Sequence, residues 1–180
     1  NHLVAESAAE FLLALSLPDL PSGTALGSHA RSVLIAEAGK QILADGVPAE
    51  QSPSYGAFTA EFLTLCAVVG RDAGAPFPHE VNDRLRRFAE FISWIALPDA
   101  SVPAFGDDDD GRVLNLCQPD HHYTASVANA VAGFLDGSAP TAAPEDHRSL
   151  LLGQPLAGSK VKTGVKVFRN GGYTAANELI

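Results

Sequence analysis

The chain has 180 residues, of which 46% are hydrophobic and 18% are charged. This length suffices for one domain with a hydrophobic core, and the composition excludes an intrinsically disordered chain. A formal net charge of −9, from 12 basic and 21 acidic residues, argues against a broad basic surface for nucleic acid. Its longest apolar runs are interrupted within a few residues, so no membrane-spanning segment is predicted.

Both ends of the sequence indicate a piece of a longer protein. The chain begins with Asn1, contains no methionine, and ends at Ile180 inside a segment with the pattern of a strand. No signal peptide is visible, and we expect any targeting segment to lie upstream. The two cysteines, Cys66 and Cys117, fit neither a disulfide framework nor a zinc cluster. Cys66 lies on an apolar helix face, which favours a buried free thiol.

The first 97 residues predict four amphipathic helices. Apolar residues recur at spacings of three and four over about 2–16, 30–44, 55–70 and 79–96. Ser28 is a candidate N-cap of the second helix, and Gly46 stands where a C-terminal glycine is expected. Pro98 ends the fourth helix, and a long loop rich in Pro, Asp and Gly follows to residue 120.

The remaining sequence predicts one more helix and then a change to β structure. The helix covers about 122–135, and a stretch rich in Pro and Gly follows it. Residues 161–169 alternate apolar and polar, which is typical of a strand, and a second strand starts at Tyr173 after the turn sequence Asn-Gly-Gly. We therefore predict a mainly α chain whose antiparallel helix pairs form part of an α/α toroid, followed by the first strands of an antiparallel β domain. The predicted divisions are a toroid portion at 1–140, a linker at 141–159 and the β domain at 160–180.

Three polar segments carry the candidate functional residues. They are Asn1-His2 followed by Glu6, residues 41–55 (QILADGVPAEQSPSY), and residues 106–112 (GDDDDGR). Their order and spacing resemble the heparinase II/III-type lyases and the related alginate lyases. Those enzymes carry an Asn-His pair at a helix start, then Gln, Asp-Gly and Glu-x-Ser-Pro-x-Tyr, then an acidic loop. Their β-sandwich begins with a strand containing Gly-Tyr, as Gly172-Tyr173 does here.

The resemblance implies a polysaccharide lyase and assigns roles to several residues. Asn1 and His2 match the pair that binds the substrate uronate, and Tyr55 matches the tyrosine that delivers or removes a proton. The family tyrosine is often followed by His, whereas this chain has Gly56. Further site residues are expected from a β domain of the same chain, so we expect residues 1–180 alone to be inactive. By resemblance, the protein is secreted or periplasmic in a bacterium.

The chemistry of β-elimination explains these residue types. The C5 proton of a uronate is weakly acidic, because its removal would place two negative charges on one group. Donors such as an Asn amide and a His ring lower that barrier by bonding the carboxylate oxygens. The leaving oxygen at C4 needs a proton, which a phenol can supply, and a tyrosine of lowered pKa could instead act as the base. This scheme requires no metal and no cofactor.

Other polar residues admit more than one interpretation. Glu50 is a candidate substrate-binding or supporting residue but could cap a helix. Arg112 is a candidate substrate contact, and Trp94 could stack on a sugar or simply fill space between helices.

Clustered carboxylates suit Ca²⁺, but residues 107–110 lack the spacing of an EF-hand loop. For these residues we favour a structural role in holding helix ends and Arg112. The adjacent histidines at 121–122 would point in different directions on a helix, which argues against one shared metal ion.

The acidic balance limits the substrate and leaves rival functions open. A polyanion should meet a positive cleft. Basic residues could cluster locally, with Arg84, Arg86 and Arg87 as one candidate, or the β domain could supply them. Alternatively, the acidic polysaccharide is less charged than heparin. One rival is a glycoside or unsaturated-uronyl hydrolase on a similar toroid, with Glu50 and one of residues 107–110 as its two carboxylates. The other is a carbohydrate-binding helical domain without catalysis.

Overall fold

The computed structural model describes residues 1–17, 19–115, 122–158 and 162–177. Within them the chain is mainly helical and ends in a two-stranded antiparallel sheet, which confirms the predicted fold class. The elements are α1 (His2–Ser16), α2 (Gly23–Gln41), α3 (Pro53–Asp72), α4 (His79–Ile95), α5 (Tyr123–Phe134), α6 (His147–Leu152), β1 (Gly164–Phe168) and β2 (Tyr173–Asn177). None of the helices in these ranges is long and apolar enough to cross a membrane. The closure of helix pairs into a toroid stays a prediction.

The second helix begins earlier and ends earlier than the sequence predicts. Its N-cap is Ser22, so the prediction of Ser28 as N-cap is wrong, and the Ser28 carbonyl instead accepts a bond from the Ser32 hydroxyl inside the helix. The first two turns of α2 are rich in Gly and other small residues, so they lack the apolar stripe from which the start was predicted. The helix ends at Gln41, and Gly46, with a φ of +91°, closes the turn that follows and does not cap the helix.

Helix α3 is the centre of the helical part. It contacts α1, α4 and α5, and small residues along it let its neighbours approach closely. At Gly56 an added Cβ would lie only 2.2 Å from the Pro48 side chain, so the turn before α3 packs directly on the helix. The surrounding core is apolar and includes the fully buried Leu34, Leu63, Phe88, Phe91, Ile92 and Val127. The Cys66 thiol is free and buried in it, as predicted, whereas Cys117 lies outside the described residues.

A short helix, α6, lies in the segment that the sequence predicted as a linker. Asp146 and Ser149 form a capping box, in which each side chain bonds the backbone N–H of the other residue. The helix packs against α5 and contacts α3. Pattern analysis missed it because six residues are too few to show a helical period.

The two strands form a hairpin that lies on α4 and on the turn before α3. Phe168 pairs with Tyr173 across the hairpin and packs edge-on against Phe91, with ring centroids 5.1 Å apart. At the hairpin turn the backbone N–H groups of Asn170 and Gly171 donate to the Asp45 carboxylate, at 2.6 and 3.0 Å. Both predicted strands are thus present in shortened form, while residues 161 and 178–180 of the predicted strands lie outside the described ranges.

Candidate active site

The start of α1 meets the turn before α3 through Asn1 and Glu50. Asn1 is the N-cap of α1, but its side chain makes no capping bond. Instead its amide Nδ2 donates to Glu50 Oε2 at 3.0 Å, and its backbone nitrogen lies 3.1 Å from Glu50 Oε1. Two segments 49 residues apart in sequence are thereby joined at one place. The Asn1 amide therefore already has a carboxylate as its partner.

Tyr55 occupies the first turn of α3, and the local sequence fixes that turn. Ser52 is the N-cap, and its hydroxyl accepts a hydrogen bond from the backbone N–H of Tyr55 at 3.3 Å. Pro53 follows at the first helical position, where a missing N–H costs nothing. Because Tyr55 is three residues after the cap, its position relative to the helix start is set by the backbone.

The surroundings of Tyr55 favour its protonated form. The side chain is half-buried, and this partial desolvation raises the pKa of the phenol above its ordinary value. The negative charges of Asp109, Asp107 and Glu50 raise the pKa further. Negative neighbours disfavour a phenolate because like charges repel. A tyrosine is protonated at neutral pH in any case, and these neighbours make its phenolate still less favourable.

His2 is the first residue of α1 and is exposed. Its ring makes no hydrogen bond or ion pair with any residue that the structure describes. It adjoins Asn1, whose partner Glu50 acts electrostatically on Tyr55. Asn1, Glu50 and Tyr55 are therefore linked, whereas no hydrogen bond or ion pair among the described residues joins the His2 ring to Tyr55.

The acidic loop, residues 106–115, is attached to the start of α3. The Asp107 carbonyl accepts bonds from the hydroxyls of Ser52 at 2.7 Å and Ser54 at 3.3 Å. Gly106 has a φ of +72°, and an added Cβ there would lie 2.5 Å from the Gln51 carbonyl oxygen. Only glycine combines this conformation with so close an approach.

The carboxylates of this loop do less for the fold than the sequence predicts. Asp108 and Asp109 accept the N–H groups of Asp110 and Gly111 within the loop, so the helix end is held by a backbone carbonyl and not by these side chains. Asp110 does pair with Arg112, as expected, at 3.3 Å. The described residues contain no group of three or more His, Cys, Asp or Glu side chains suited to a metal ion, and His121 lies outside them.

Arg112 and Trp94 have different settings. The Arg112 guanidinium lies 3.9 Å from the centre of the Tyr123 ring and lines a small polar cavity of about 130 Å³ together with Ser54 and Asp108, close to the start of α3. Trp94 lies near the end of α4, half-buried against the core, and its carbonyl accepts a bond from Asn177 in β2. Within the described residues no hydrogen bond or ring contact joins Trp94 to Asn1, Glu50 or Tyr55.

A buried ion pair behind the acidic loop was not predicted from the sequence. Glu61 and Arg148 have side chains 0% and 1% exposed, and their Oε1 and Nε atoms are 2.7 Å apart. The second oxygen of Glu61 accepts bonds from the Tyr123 hydroxyl and from the backbone N–H of Val113. The sequence signal was a glutamate among the apolar residues of α3, which requires a partner when buried. That partner lay unrecognised in the predicted linker.

Two arginines of the candidate basic cluster on α4 are bound to other groups, whereas the third, Arg87, is exposed. Arg86 is paired with Asp83, and Arg84 donates to the Ile42 carbonyl at 3.3 Å. Around Tyr55, by contrast, the neighbouring charges are carboxylates. The neighbours of Tyr55 therefore leave the conflict between an acidic chain and an acidic substrate in place at this site.

These features define a mainly helical protein in which the amide of Asn1 and the phenol of Tyr55, each near a helix start, both have Glu50 as a neighbour. A model of the heparinase II/III N-terminus family matches residues 1–124. The chain belongs to that family, whose members are related to polysaccharide lyases. Searches of curated proteins and of solved structures found no significant match.

Proposed function

We propose that this chain forms one side of an active site that cleaves uronic-acid-containing polysaccharide by β-elimination. The observation that carries the proposal is the setting of Tyr55, a phenol at a helix start beside carboxylates, one of which, Glu50, bonds the amide of Asn1. A protonated phenol can donate to the departing C4 oxygen. The raised pKa favours this acid role over the alternative role of base.

Asn1 and His2 would bind the carboxylate of the sugar whose C5 proton is removed. An amide N–H and an imidazole N–H stabilise that group more strongly as it gains negative charge, which lowers the barrier to proton removal. Because Glu50 now occupies the Asn1 amide, a substrate carboxylate would have to displace it. Arg112 and Trp94 remain candidates for contacts with more distant sugars.

The base and the positive charge that the reaction needs must come from another part of the protein. We propose that a β domain of the same chain, growing from the β1–β2 hairpin, supplies the base and the positive charge that the helical side lacks. The ligand would be an acidic polysaccharide or oligosaccharide of lower charge density than heparin, because Tyr55 is surrounded by carboxylates. A secreted or periplasmic location in a bacterium would bring the enzyme to such a substrate.

The product of the reaction tests this proposal. Elimination leaves a conjugated double bond that absorbs ultraviolet light, whereas hydrolysis leaves none. We expect a protein that joins this chain to its β domain to generate that absorbance from a uronate polymer such as alginate, and Tyr55→Phe to reduce it strongly. Tyr173→Phe is the matched control, since the Tyr173 ring, in β2, packs on the ring of Phe105.

Two other results would contradict the proposal. Reducing ends formed without ultraviolet absorbance would indicate the hydrolase, in which Glu50 and an acidic-loop residue serve as acid and base. Oligosaccharide binding without turnover, unaffected by Tyr55→Phe, would indicate a carbohydrate-binding domain.

A further inference from the structure

The acidic loop is attached to α3 at two places. At its front, Ser52 and Ser54 hold the Asp107 carbonyl. At its rear, Glu61 accepts the Val113 N–H at 3.1 Å, and the Leu114 carbonyl accepts bonds from Arg148 Nη2 and from the His147 ring, each at 3.1 Å. Between the two attachments lie the carboxylates whose charges act on Tyr55.

The two attachments limit the course that this loop can take. Ser52 and Glu61 are nine positions apart along the helix, which corresponds to roughly 13 Å at the rise of an α-helix. The six residue-to-residue steps from 107 to 113 can span at most roughly 20 Å when fully extended. Gly111, midway along, lies against the Phe58 ring, one turn from Tyr55. The loop therefore runs along α3 and depends on both attachments for its course.

The rear attachment is built from charges that are costly to bury. Besides Glu61, Arg148 bonds the Asp146 carboxylate at 3.0 Å, and its guanidinium lies 4.8 Å from the Tyr123 ring centre. A buried ion pair adds little stability compared with apolar residues of the same size, because desolvation offsets the attraction. Such a pair does, however, fix the direction of the hydrogen bonds that its two side chains make.

We propose that the Glu61–Arg148 ion pair is a positioning device that holds the acidic loop along α3 and so keeps the carboxylates of Asp107 and Asp109 beside Tyr55. Arg148 lies beyond the residues matched by the family model, so a segment after residue 124 completes the surroundings of the site. The proposal relies on the proposed function only for the importance of Tyr55. Neither Glu61 nor Arg148 touches the reacting atoms.

Phenol titration of the full 180-residue chain tests this without substrate. The ionisation of Tyr55 is isolated by subtracting the ultraviolet titration of a Tyr55→Phe partner for each variant. The main variant replaces both members of the pair, Glu61→Leu with Arg148→Met, because apolar residues of similar size preserve the packing. The control is Thr64→Val, which removes a buried hydroxyl from the same helix but no contact with the loop.

We expect the double variant to keep its helical circular dichroism while the Tyr55 titration moves to lower pH, since released carboxylates no longer oppose ionisation. Hydrogen exchange at the amides of Asp110 and Gly111 should become about tenfold faster, as expected when one or two net hydrogen bonds are lost. Thr64→Val should change neither quantity.

A folded double variant with unchanged Tyr55 titration and unchanged loop exchange would show that the pair is only structural. If the double variant does not fold, Arg148→Lys decides in the same way, since lysine keeps the charge but lacks the planar guanidinium whose separate Nε and Nη2 donors reach Glu61 and Leu114. A failure of the proposed function would look different: the titration would shift as expected, yet no unsaturated product would form from a uronate polymer.

Discussion

The Ser52 hydroxyl donates a 2.7 Å hydrogen bond to the carbonyl of Asp107, 55 residues further along the chain. The same hydroxyl accepts the N–H of Tyr55, so one oxygen caps α3 and attaches the acidic loop. We expect Ser52→Ala to lower the free energy of unfolding by about 1–2 kcal/mol, the usual cost of losing an N-cap. Urea denaturation measures it.

Ser54→Ala is the matched control for that change. Ser54 also bonds the Asp107 carbonyl, at 3.3 Å, but it does not cap the helix. Its loss should cost less than about 1 kcal/mol, the net value of a partly exposed hydrogen bond. Equal losses for the two serines would argue against a special role for Ser52.

Gly106 should resist replacement more than another glycine with the same backbone conformation. Gly106 and Gly74 have φ values of +72° and +75°, but an added Cβ meets the Gln51 carbonyl oxygen at Gly106 and nothing within 4 Å at Gly74. Gly74→Ala should therefore cost about 1 kcal/mol for backbone strain alone. Gly106→Ala should cost at least about 2 kcal/mol, because the loop must also move. Thermal and urea unfolding of both variants compare these costs.

Tyr55 and His2 should affect turnover in different ways. In a protein that joins this chain to its β domain, Tyr55→Phe keeps the ring but removes its proton, so kcat on an oligouronate should fall by about 10²–10⁴ while KM changes little. His2→Ala removes a contact that forms with the substrate and strengthens in the transition state, so both kcat and KM should worsen. Steady-state kinetics separates the patterns. A near-normal kcat for Tyr55→Phe would make Tyr55 a packing residue.

Glu50 should compete with the substrate for Asn1. Removing its charge with Glu50→Gln should lower KM for an acidic oligosaccharide by about 1.5- to 5-fold, the range of an exposed ion pair, and should move the Tyr55 titration to lower pH. The control is Glu80→Gln, which removes the same charge from an exposed side chain at the start of α4. If both variants lower KM equally, general repulsion is the cause.

The buried thiol should make the fold sensitive to alkali. Burial raises the pKa of Cys66 to about 12 from an ordinary value of 9.0. Its folded-state pKa is the higher one, so its contribution to stability is complete below pH 9 and is lost as the pH rises from 9 to 12. Over that window the free energy of unfolding should fall by about 1.4 kcal/mol per pH unit because of this group. Cys66→Ala should flatten the slope measured by urea denaturation.

The helices carrying the site could be predicted because their apolar residues repeat with a clear period. Helices α1, α3 and α4 lie within a few residues of their predicted bounds. The N-terminal Ser-Pro of α3 combines two familiar signals, a serine cap and a proline at the first position. The local sequence therefore suffices to place Tyr55 near a helix start.

The partners of the site residues could not be predicted, because they depend on contacts distant in sequence. Nothing local in the sequence pairs Asn1 with Glu50, or Glu61 with Arg148, 87 positions away. The acidic loop could be recognised from its composition, but its attachment through the carbonyl of Asp107 uses a group that every residue possesses. Sequence pattern therefore identified the candidate side chains and left open which atoms hold them.

The hydrogen bonds from the hairpin turn to Asp45 limit which parts of the protein can move relative to one another. Asp45 lies in the turn between α2 and α3, so the sheet is attached directly to the turn that carries Glu50 and leads into the helix of Tyr55. Packing of Phe168 on Phe91 adds a second fixed point. Any further strand joined to this sheet would take its orientation from the helical part. Opening and closing of a cleft would then require a hinge beyond the hairpin, and the strands β1 and β2 would move with the helices.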